Sequence, residues 1–433
     1  MERMDVLKKQ ISFGFFYKIL SMLLSYFSIP LFFKYLGKED YGLWMTIFSI
    51  VSWIYTFDLG IGHGLKNKLT ENISKKNYKE AQEYISTGYI VLIIIALIFL
   101  VCGLITMKLV NIKKFLNITF YNENYLKLIL GIVFSITILN FVIFLYKTFY
   151  LSIHNSLVLN LSNFLFQLIF IVSLYFLNIF QKVTLVSVAF IYPGINLIIG
   201  IFFTIKFFKN YPFLAPKIKN FKKDKIKSIG GIGISFFIIQ ISLLIILTTD
   251  NILITKYLGT SSVAEYNLVA KLFQAFIVLE GIVSLPMWPL FIDAYIKKDK
   301  KWIKKMFKKL NIFFVILSFC VIIVILLAPL ILKIWIGSEL NLPKYLILFW
   351  GIFVLNRVFG DIYMMFINAT GKINLQMWLF LFGALINIPL SMYFMNNLEM
   401  GSSGAILGTN IAIFPLAIFM PIQTYFILKK IPD

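Results

Sequence analysis

An arginine and an aspartate lie four residues apart inside one of the most apolar stretches of the chain, residues 345–367. At this spacing Arg357 and Asp361 share one face of a helix, so their side chains can pair. The planar guanidinium of arginine can bind two phosphate oxygens at once, which makes Arg357 a candidate contact for a phosphorylated ligand. A buried pair that only fixes helix packing would have the same spacing, and both interpretations stand at this point.

Further ionisable residues occur in apolar stretches, where each charge costs about 2.5 to 3.5 kcal/mol on membrane-insertion scales. Such residues usually face a water-filled cavity or a partner. Together with one glutamine they form two sets. The candidate substrate-binding residues are Arg357, Lys18, Lys271 and Gln240, and the candidate ion-coupling residues are Asp361, Asp250 and Glu280.

Several of these candidates also have a purely structural interpretation, and others differ in what they need around them. Lys18 can extend its ammonium to the membrane surface, and Asp250 can be an interfacial carboxylate near the end of its helix. Gln240 corresponds to Lys18 at the offset of an internal repeat, so this position is polar in both copies. Lys271 and Glu280 are nine residues apart and therefore lie on opposite faces of one helix, where they need separate partners.

Other residues that could carry chemistry are few. Cys102 and Cys320 fall within apolar stretches, and the two histidines fall near predicted helix ends. This supply is too small for a disulfide framework or a metal site, and we expect no cofactor. The longest predicted outer loop, residues 108–124, offers only Glu123 as an acid or base catalyst, which argues against an enzyme.

The composition indicates that these residues belong to a membrane protein. Of the 433 residues, 60% are hydrophobic and 17% aromatic, and the mean hydropathy is +0.88. Runs of about 20 apolar residues can cross the hydrocarbon as helices, and unbroken apolar runs exclude a β-barrel. We predict twelve transmembrane helices, at about residues 12–33, 41–62, 84–107, 125–147, 159–178, 184–207, 232–253, 264–288, 311–334, 345–367, 375–395 and 404–428.

Positive charge is distributed unequally between the two sides of these helices. The side that holds the N-terminus carries 28 lysines and arginines in its predicted loops and at the adjoining span ends, and the other side carries 10. Lysine and arginine are retained on the cytoplasmic side of membrane proteins. We therefore expect both termini to be cytoplasmic, in a multi-pass protein of the inner (cytoplasmic) membrane.

The net charge of +22 is concentrated in two lysine-rich segments, residues 206–227 and 296–310. In the second segment apolar residues recur at helical spacing between the lysines. This pattern is typical of an amphipathic helix lying on an anionic leaflet. Anionic membrane lipids, and not nucleic acid, are the partners that these segments predict.

Short sequence matches indicate an internal duplication. "KYLG" occurs at residues 34–37 and again at residues 256–259, and "KKN" at residue 75 recurs at the same offset as "KKD" at residue 297. "YLKLILGI" from residue 125 matches "YLILFWGI" from residue 345, at nearly the same offset. Copies separated by six spans keep the same orientation and predict a ligand site between two lobes. We place the six-helix lobes at residues 1–207 and 229–433 and a basic linker at residues 208–228.

Two segments resemble a known family. Residues 35–71, "YLGKEDYGLWMTIFSIVSWIYTFDLGIGHGLKNKLTE", resemble the N-terminal signature of the bacterial O-antigen and capsule repeat-unit flippases, the Wzx-type branch of the polysaccharide transporter family. Residues 248–272, "TTDNILITKYLGTSSVAEYNLVAKL", are similar to that family's seventh helix and the turn into its eighth. The resemblance implies an all-α, MATE-like fold of twelve transmembrane helices in two parallel six-helix repeats.

The resemblance also implies a function, the flipping of undecaprenyl-pyrophosphate-linked oligosaccharide from the inner to the outer leaflet, with a glycan polymerase as a candidate partner. Two alternatives stay open. A cation-coupled multidrug exporter of the same fold would favour an acid-lined cavity. Four acids within the predicted spans, Asp58, Asp250, Glu280 and Asp361, against the three bases Lys18, Lys271 and Arg357 leave this alternative open. A membrane glycan polymerase or ligase ranks third because it would need catalytic groups in a substantial outer loop.

Overall fold

The computed structural model describes residues 2–58, 61–153, 155–229, 234–337 and 340–431. Within these ranges the chain is almost entirely helical and has no β-strand. The α-helices are α1 (Glu2–Leu36), α2 (Lys38–Ser52), α3 (Ile61–Ser74), α4 (Tyr78–Leu109), α5 (Ile112–Leu116), α6 (Glu123–Ile143), α7 (Leu145–Ser152), α8 (Leu157–Ile179), α9 (Leu185–Asn210), α10 (Lys223–Ile229), α11 (Ile234–Leu258), α12 (Thr260–Ile296), α13 (Lys300–Ile336), α14 (Leu346–Thr370), α15 (Asn374–Met392) and α16 (Ser402–Lys429).

Eleven membrane-spanning candidates occur among the described residues, each long and apolar enough to cross a bilayer as a helix. They coincide with eleven of the twelve predicted spans, which confirms the all-α membrane fold. The exception is the predicted span at residues 41–62. There α2 ends at Ser52 and a 3₁₀ segment follows to Asp58, with a non-helical conformation at Phe57. This predicted span is therefore helical but interrupted.

The described helices form two compact units, residues 1–233 and 234–433. Unit 1 has a core rich in aromatic rings. The ring of Tyr192 lies 5.3 Å from that of Trp44 and 5.2 Å from that of Phe170, and Phe32 contacts Phe170 at 5.4 Å. Each such buried ring removes a large apolar area from its surroundings and adds favourable edge-to-face contacts.

The lysine-rich segment at the end of unit 1 is packed against the start of α4. The Asn220 amide donates to Gln82 Oε1 at 2.7 Å, and Lys225 Nζ lies 3.0 Å from Glu80 Oε1. Burial of Lys225 disfavours its charged form and by itself would lower its pKa. The hydrogen bond to Glu80, together with the neighbouring acid and phenol, outweighs burial, so the pKa of Lys225 is raised. Residues 211–229 are thus an ordered part of unit 1.

Unit 2 contains a close approach between α15 and α16. A Cβ atom added at Gly408 would lie 2.7 Å from the Ser391 backbone nitrogen, and one at Gly383 would lie 2.6 Å from the Ala412 carbonyl oxygen. Real Cβ atoms do not tolerate such distances to backbone atoms. Glycine at these two positions therefore permits the packing of α15 on α16.

The internal repeat is visible in the backbone of both units. Gly37, which precedes α2, has φ 83° and ψ 165°, and Gly259, which precedes α12, has φ 87° and ψ 167°. Lys76 and Lys298 both have positive φ, at 60° and 57°. Both pairs keep the offset of the "KYLG" match, so the duplicated sequence folds into the same two local conformations.

The second lysine-rich segment differs from the expected surface helix. Residues 300–310 of this segment belong to α13, which runs without interruption from Lys300 to Ile336. Its apolar residues Ile303, Phe307 and Leu310 are buried within unit 2, and the Phe307 ring packs 5.3 Å from that of Phe291. The apolar face therefore packs inside the protein, where a helix lying on the leaflet was expected. The contact of the lysines with anionic lipids stays a prediction.

Candidate functional site

Unit 2 contains an open cavity of about 420 Å³ that is lined by residues of α11, α12, α14 and α15. Its walls are mainly apolar, with Leu243, Met364 and Phe380 among them. Three charged residues, Glu280, Arg357 and Asp361, also line it. Volumes of about 300 to 1,000 Å³ with a few polar groups in apolar walls are typical of small-molecule sites.

Arg357 and Asp361 form an ion pair along α14. Arg357 Nε donates to Asp361 Oδ2 at 2.7 Å, and the side chains are 21% and 20% exposed. The i, i+4 spacing on a continuous helix produces this contact. Because both side chains reach the cavity, the remaining guanidinium N–H groups are within reach of a ligand.

Glu280 reaches the same cavity from α12 and is 5% exposed. The hydroxyl of Ser284, one turn further along, donates to its carboxylate. With all three groups ionised, the cavity holds two negative charges and one positive charge. Sequence reasoning identified these residues separately, and the structure brings them together although the whole of α13 separates α12 from α14 along the chain.

Two amides in the cavity wall were not singled out from the sequence. Asn368 and Gln376 line the cavity, and Asn368 Oδ1 and Gln376 Oε1 are buried without a hydrogen-bond partner among the described residues. Buried acceptors of this kind can receive a hydrogen bond from a ligand hydroxyl or from water. A signal existed in the sequence, since amides near the ends of apolar helices are costly unless they are paired.

Asp250 lies in a different polar cluster of unit 2, between α11, α12, α15 and α16. Tyr266 and Thr409 donate hydroxyl hydrogen bonds to Asp250 Oδ2, at 2.5 Å and 3.0 Å. Thr409 also accepts from the Asn387 amide at 2.9 Å. Asp250 is 3% exposed, and its Oδ1 has no hydrogen-bond partner among the described residues. The carboxylate is therefore held in a buried network and not at an exposed interface.

The other candidates do not line the cavity of Arg357. Lys271 is half-buried on α12, and Gln240 is half-buried on α11. Lys18 belongs to unit 1, where it is half-buried on α1. The structure thus brings together three of the seven candidates and leaves four outside this cavity.

Unit 1 contains a further cation, at the residue where the fourth predicted span ends. Lys147 lies in α7, and its Nζ is 4.1 Å from the centre of the Phe144 ring, a cation–π contact. The fourth span was predicted to end at this residue, but helical structure continues to Ser152. The residues after Lys147 are aromatic and polar, so the apolar run ends there although the helical structure does not. The true end of the helix was therefore not visible in the hydropathy pattern.

Comparisons with known proteins agree with this architecture. The family described as "Polysaccharide biosynthesis protein" matches residues 7–294. The chain is 26% identical over 375 residues to "Putative O-antigen export protein" of Yersinia pseudotuberculosis, covering 84% of this chain and 83% of that protein. It is 23% identical over 411 residues to "Putative O-antigen transporter" of Salmonella typhimurium, covering 93% and 92%.

Among solved structures, the chain is similar to the inward-facing conformation of a multidrug resistance MATE family transporter of the MOP superfamily. The TM-score is 0.78 with 13% sequence identity, over 95% of this chain and 99% of the other. At this identity the likeness shows the fold alone, and that fold is MATE-like.

Proposed function

Because the chain belongs to the polysaccharide biosynthesis protein family, we propose that it is a flippase for undecaprenyl-pyrophosphate-linked oligosaccharide repeat units. The observation that carries this proposal is the position of Arg357 in a cavity inside unit 2. A diphosphate cannot cross bare hydrocarbon at reasonable cost, so its carrier must offer a cation in a polar path. The names of the two relatives support the same cargo class.

Arg357 binds the cargo diphosphate during transit in this proposal. Asp361 holds the guanidinium in place at 2.7 Å and competes with phosphate, so that release remains possible. Glu280 adds a second negative charge to the cavity and can take up a proton or a cation when the cargo leaves. Lys18, Lys271 and Gln240 are proposed to contact the cargo elsewhere along its path.

Asp250 is proposed as a second ion-coupling residue. One of its carboxylate oxygens has no hydrogen-bond partner among the described residues, while hydroxyl groups hold the other. A carboxylate oxygen without a hydrogen-bond partner is a ligand type that hard cations and protons use. Cation binding at this carboxylate would then favour one state of the transport cycle.

The proposed transport cycle is alternating access, in the inner membrane, with both termini cytoplasmic. The internal repeat and the unequal distribution of lysine support this arrangement. A reporter fused after Leu340 should be active outside, and reporters fused after Lys309 or at the C-terminus should be active inside. Finding the Lys309 and Leu340 fusions on the same side would contradict the proposed topology.

A cation-coupled multidrug exporter is the second candidate, because two carboxylates share the cavity with one arginine. Drug export would depend on the acids and not on the guanidinium. Replacement of Arg357 therefore separates the two functions.

The test compares three variants in cells that need the protein for surface glycan. Arg357→Ala combined with Asp361→Ala removes both charges, so the variant should reach normal membrane abundance yet fail to deliver surface glycan. Arg357→Lys should retain partial activity, because it keeps the charge but loses the fork. The matched control is Asp293→Ala with Lys297→Ala, an exposed i, i+4 pair of the same unit with a 2.8 Å contact. Normal glycan export by the first double variant would refute the role of Arg357.

A further inference from the structure

A second concavity of unit 2 lies outside the cavity of Arg357. It has a volume of about 740 Å³ and runs between α13, α14 and α16. Its α13 wall is apolar and open, since Ile312 is 53% exposed, Val315 66% and Ile316 59%. Apolar side chains that are exposed on a membrane-spanning helix are suited to contact acyl chains.

One end of this groove is positively charged. Lys304 and Lys308 line it, and both are exposed. Neither lysine forms an ion pair with a carboxylate within the described parts of the chain. α13 has 37 residues, so at 1.5 Å per residue it is about 55 Å long and exceeds the hydrocarbon thickness of about 30 Å. Its lysine-bearing first turns therefore extend to the level of lipid headgroups.

The groove also contains a polar group without a partner. Thr424 of α16 lines it and is only 2% exposed, and its hydroxyl has no hydrogen-bond partner among the described residues. The neighbouring Tyr363 hydroxyl is occupied, since it donates to Asn311 Oδ1 at 3.1 Å. The groove thus combines two exposed cations and an apolar wall, and the Thr424 hydroxyl is buried beneath its surface.

We propose that this groove is a binding site for one diacyl anionic phospholipid. Lys304 and Lys308 hold the headgroup phosphate, and the acyl chains lie along the α13 wall. Charge complementarity selects this occupant, because a neutral lipid would leave both ammonium groups without a counter-charge. The site is independent of the cargo proposed for the Arg357 cavity.

The experiment measures lipid retention by the full-length protein in detergent micelles, using native mass spectrometry. The probes are phosphatidylglycerol and phosphatidylcholine with the same acyl chains. Lys304→Gln with Lys308→Gln is compared with Lys305→Gln and Lys309→Gln, two exposed lysines of the same helix that do not line the groove. Val315→Trp fills the groove without changing charge, and Thr424→Val removes only the hydroxyl.

The wild-type protein should retain one phosphatidylglycerol in preference to phosphatidylcholine. A lysine near an anionic lipid is worth about fivefold in affinity, so the groove pair should weaken binding about 25-fold. The control pair should change it less than about threefold, because diffuse attraction remains. Val315→Trp should also reduce retention, whereas Thr424→Val should leave it unchanged, because the buried hydroxyl does not reach the groove surface.

Four results would overturn the proposal. Equal losses in the two lysine pairs would indicate diffuse surface attraction, and equal retention of the two lipids would indicate an apolar groove only. Displacement of phosphatidylglycerol by equimolar undecaprenyl phosphate would assign the groove to the cargo's lipid. Dimerisation that is lost in Val315→Trp would assign it to a second copy of the chain.

Discussion

The two units of this protein handle charge differently. The ion pairs among the described residues of unit 1 lie near helix ends, as in Lys225 with Glu80 and Lys127 with Glu123. Unit 2 has an exposed pair as well, but it also places Arg357, Asp361 and Glu280 around an internal cavity. The described core of unit 1 is packed with aromatic rings and contains no comparable group of charged residues.

This difference shows that the internal charges are not required by the repeated fold. At the offset that aligns "YLKLILGI" with "YLILFWGI", Arg357 corresponds to Thr137 and Asp361 to Phe141, and both counterparts are buried in unit 1. The same framework therefore folds with uncharged residues at these positions. The repeated fold therefore does not require charges at these two positions, and their desolvation cost is not imposed by the repeat.

The largest effect that we expect on stability comes from separating the internal pair. Arg357→Ala should lower the free energy of unfolding by about 3 kcal/mol, because it leaves Asp361 beside Glu280 without a counter-charge. Adding Asp361→Ala should restore most of this loss. Denaturant unfolding of the purified protein in detergent measures both values. Equal stability of wild type and single variant would mean that the cavity is wet enough to solvate the stranded acid.

The second prediction compares two tyrosine–aspartate hydrogen bonds. Tyr266→Phe should cost about 2 kcal/mol, because Asp250 is fully buried and loses one of its two donors. Tyr121→Phe removes a 2.9 Å bond to the partly exposed Asp40 in unit 1 and should cost less than about 1 kcal/mol. Burial already raises the pKa of Asp40, and loss of the Tyr121 donor should raise it further. Similar unfolding free energies for the two variants would contradict the contrast between the units.

The third prediction concerns Lys225, whose charge holds the first lysine-rich segment against α4 within unit 1. Lys225→Ala should cost about 1 kcal/mol, since Glu80 and Glu83 can regain water. Folding raises the pKa of Lys225, so its stabilisation is complete below the unfolded-state pKa of about 10.4 and disappears as the pH rises through the folded-state value. The difference between wild type and variant should therefore be constant from pH 7 to pH 9 and shrink above about pH 10.5. A difference that grows with pH would exclude this assignment.

The smallest effects are expected at the two glycines that "YLKLILGI" and "YLILFWGI" share. A Cβ at Gly131 of unit 1 would meet nothing within 4 Å, so Gly131→Ala should stabilise α6 by about 0.5 kcal/mol. A Cβ at Gly351 of unit 2 would lie 2.3 Å from Ile325 Cδ1, a flexible side-chain end. Gly351→Ala should therefore cost about 1 kcal/mol after Ile325 shifts. Unfolding temperatures of the two variants should move in opposite directions, and movement in the same direction would refute the difference in packing.

Much of the fold was readable from the sequence because membrane helices are recognisable by their length and apolar content. The Arg357–Asp361 contact was readable too, since it depends only on local helical spacing. The addition of Glu280 to that pair depends on how α12 packs on α14, which no local pattern encodes. The break after Ser52 was missed because an apolar sequence is compatible with both α- and 3₁₀-helix, and the role of α13 was misread because its apolar stripe fits a protein core as well as a leaflet.

The backbone conformation at Gly37 and Gly259 depends on the chirality of the amino acid at each position. Positive φ with ψ near 165° is the mirror image of an ordinary extended conformation, and it is essentially closed to L-amino acids with a side chain. A D-alanine introduced by chemical synthesis would fit at either site, whereas any genetically encoded replacement would strain the turn. Because the ribosome incorporates no D-residues, glycine is the one encoded residue that makes both turns without strain. The duplication therefore gave the gene two positions at which replacement of glycine strains the backbone.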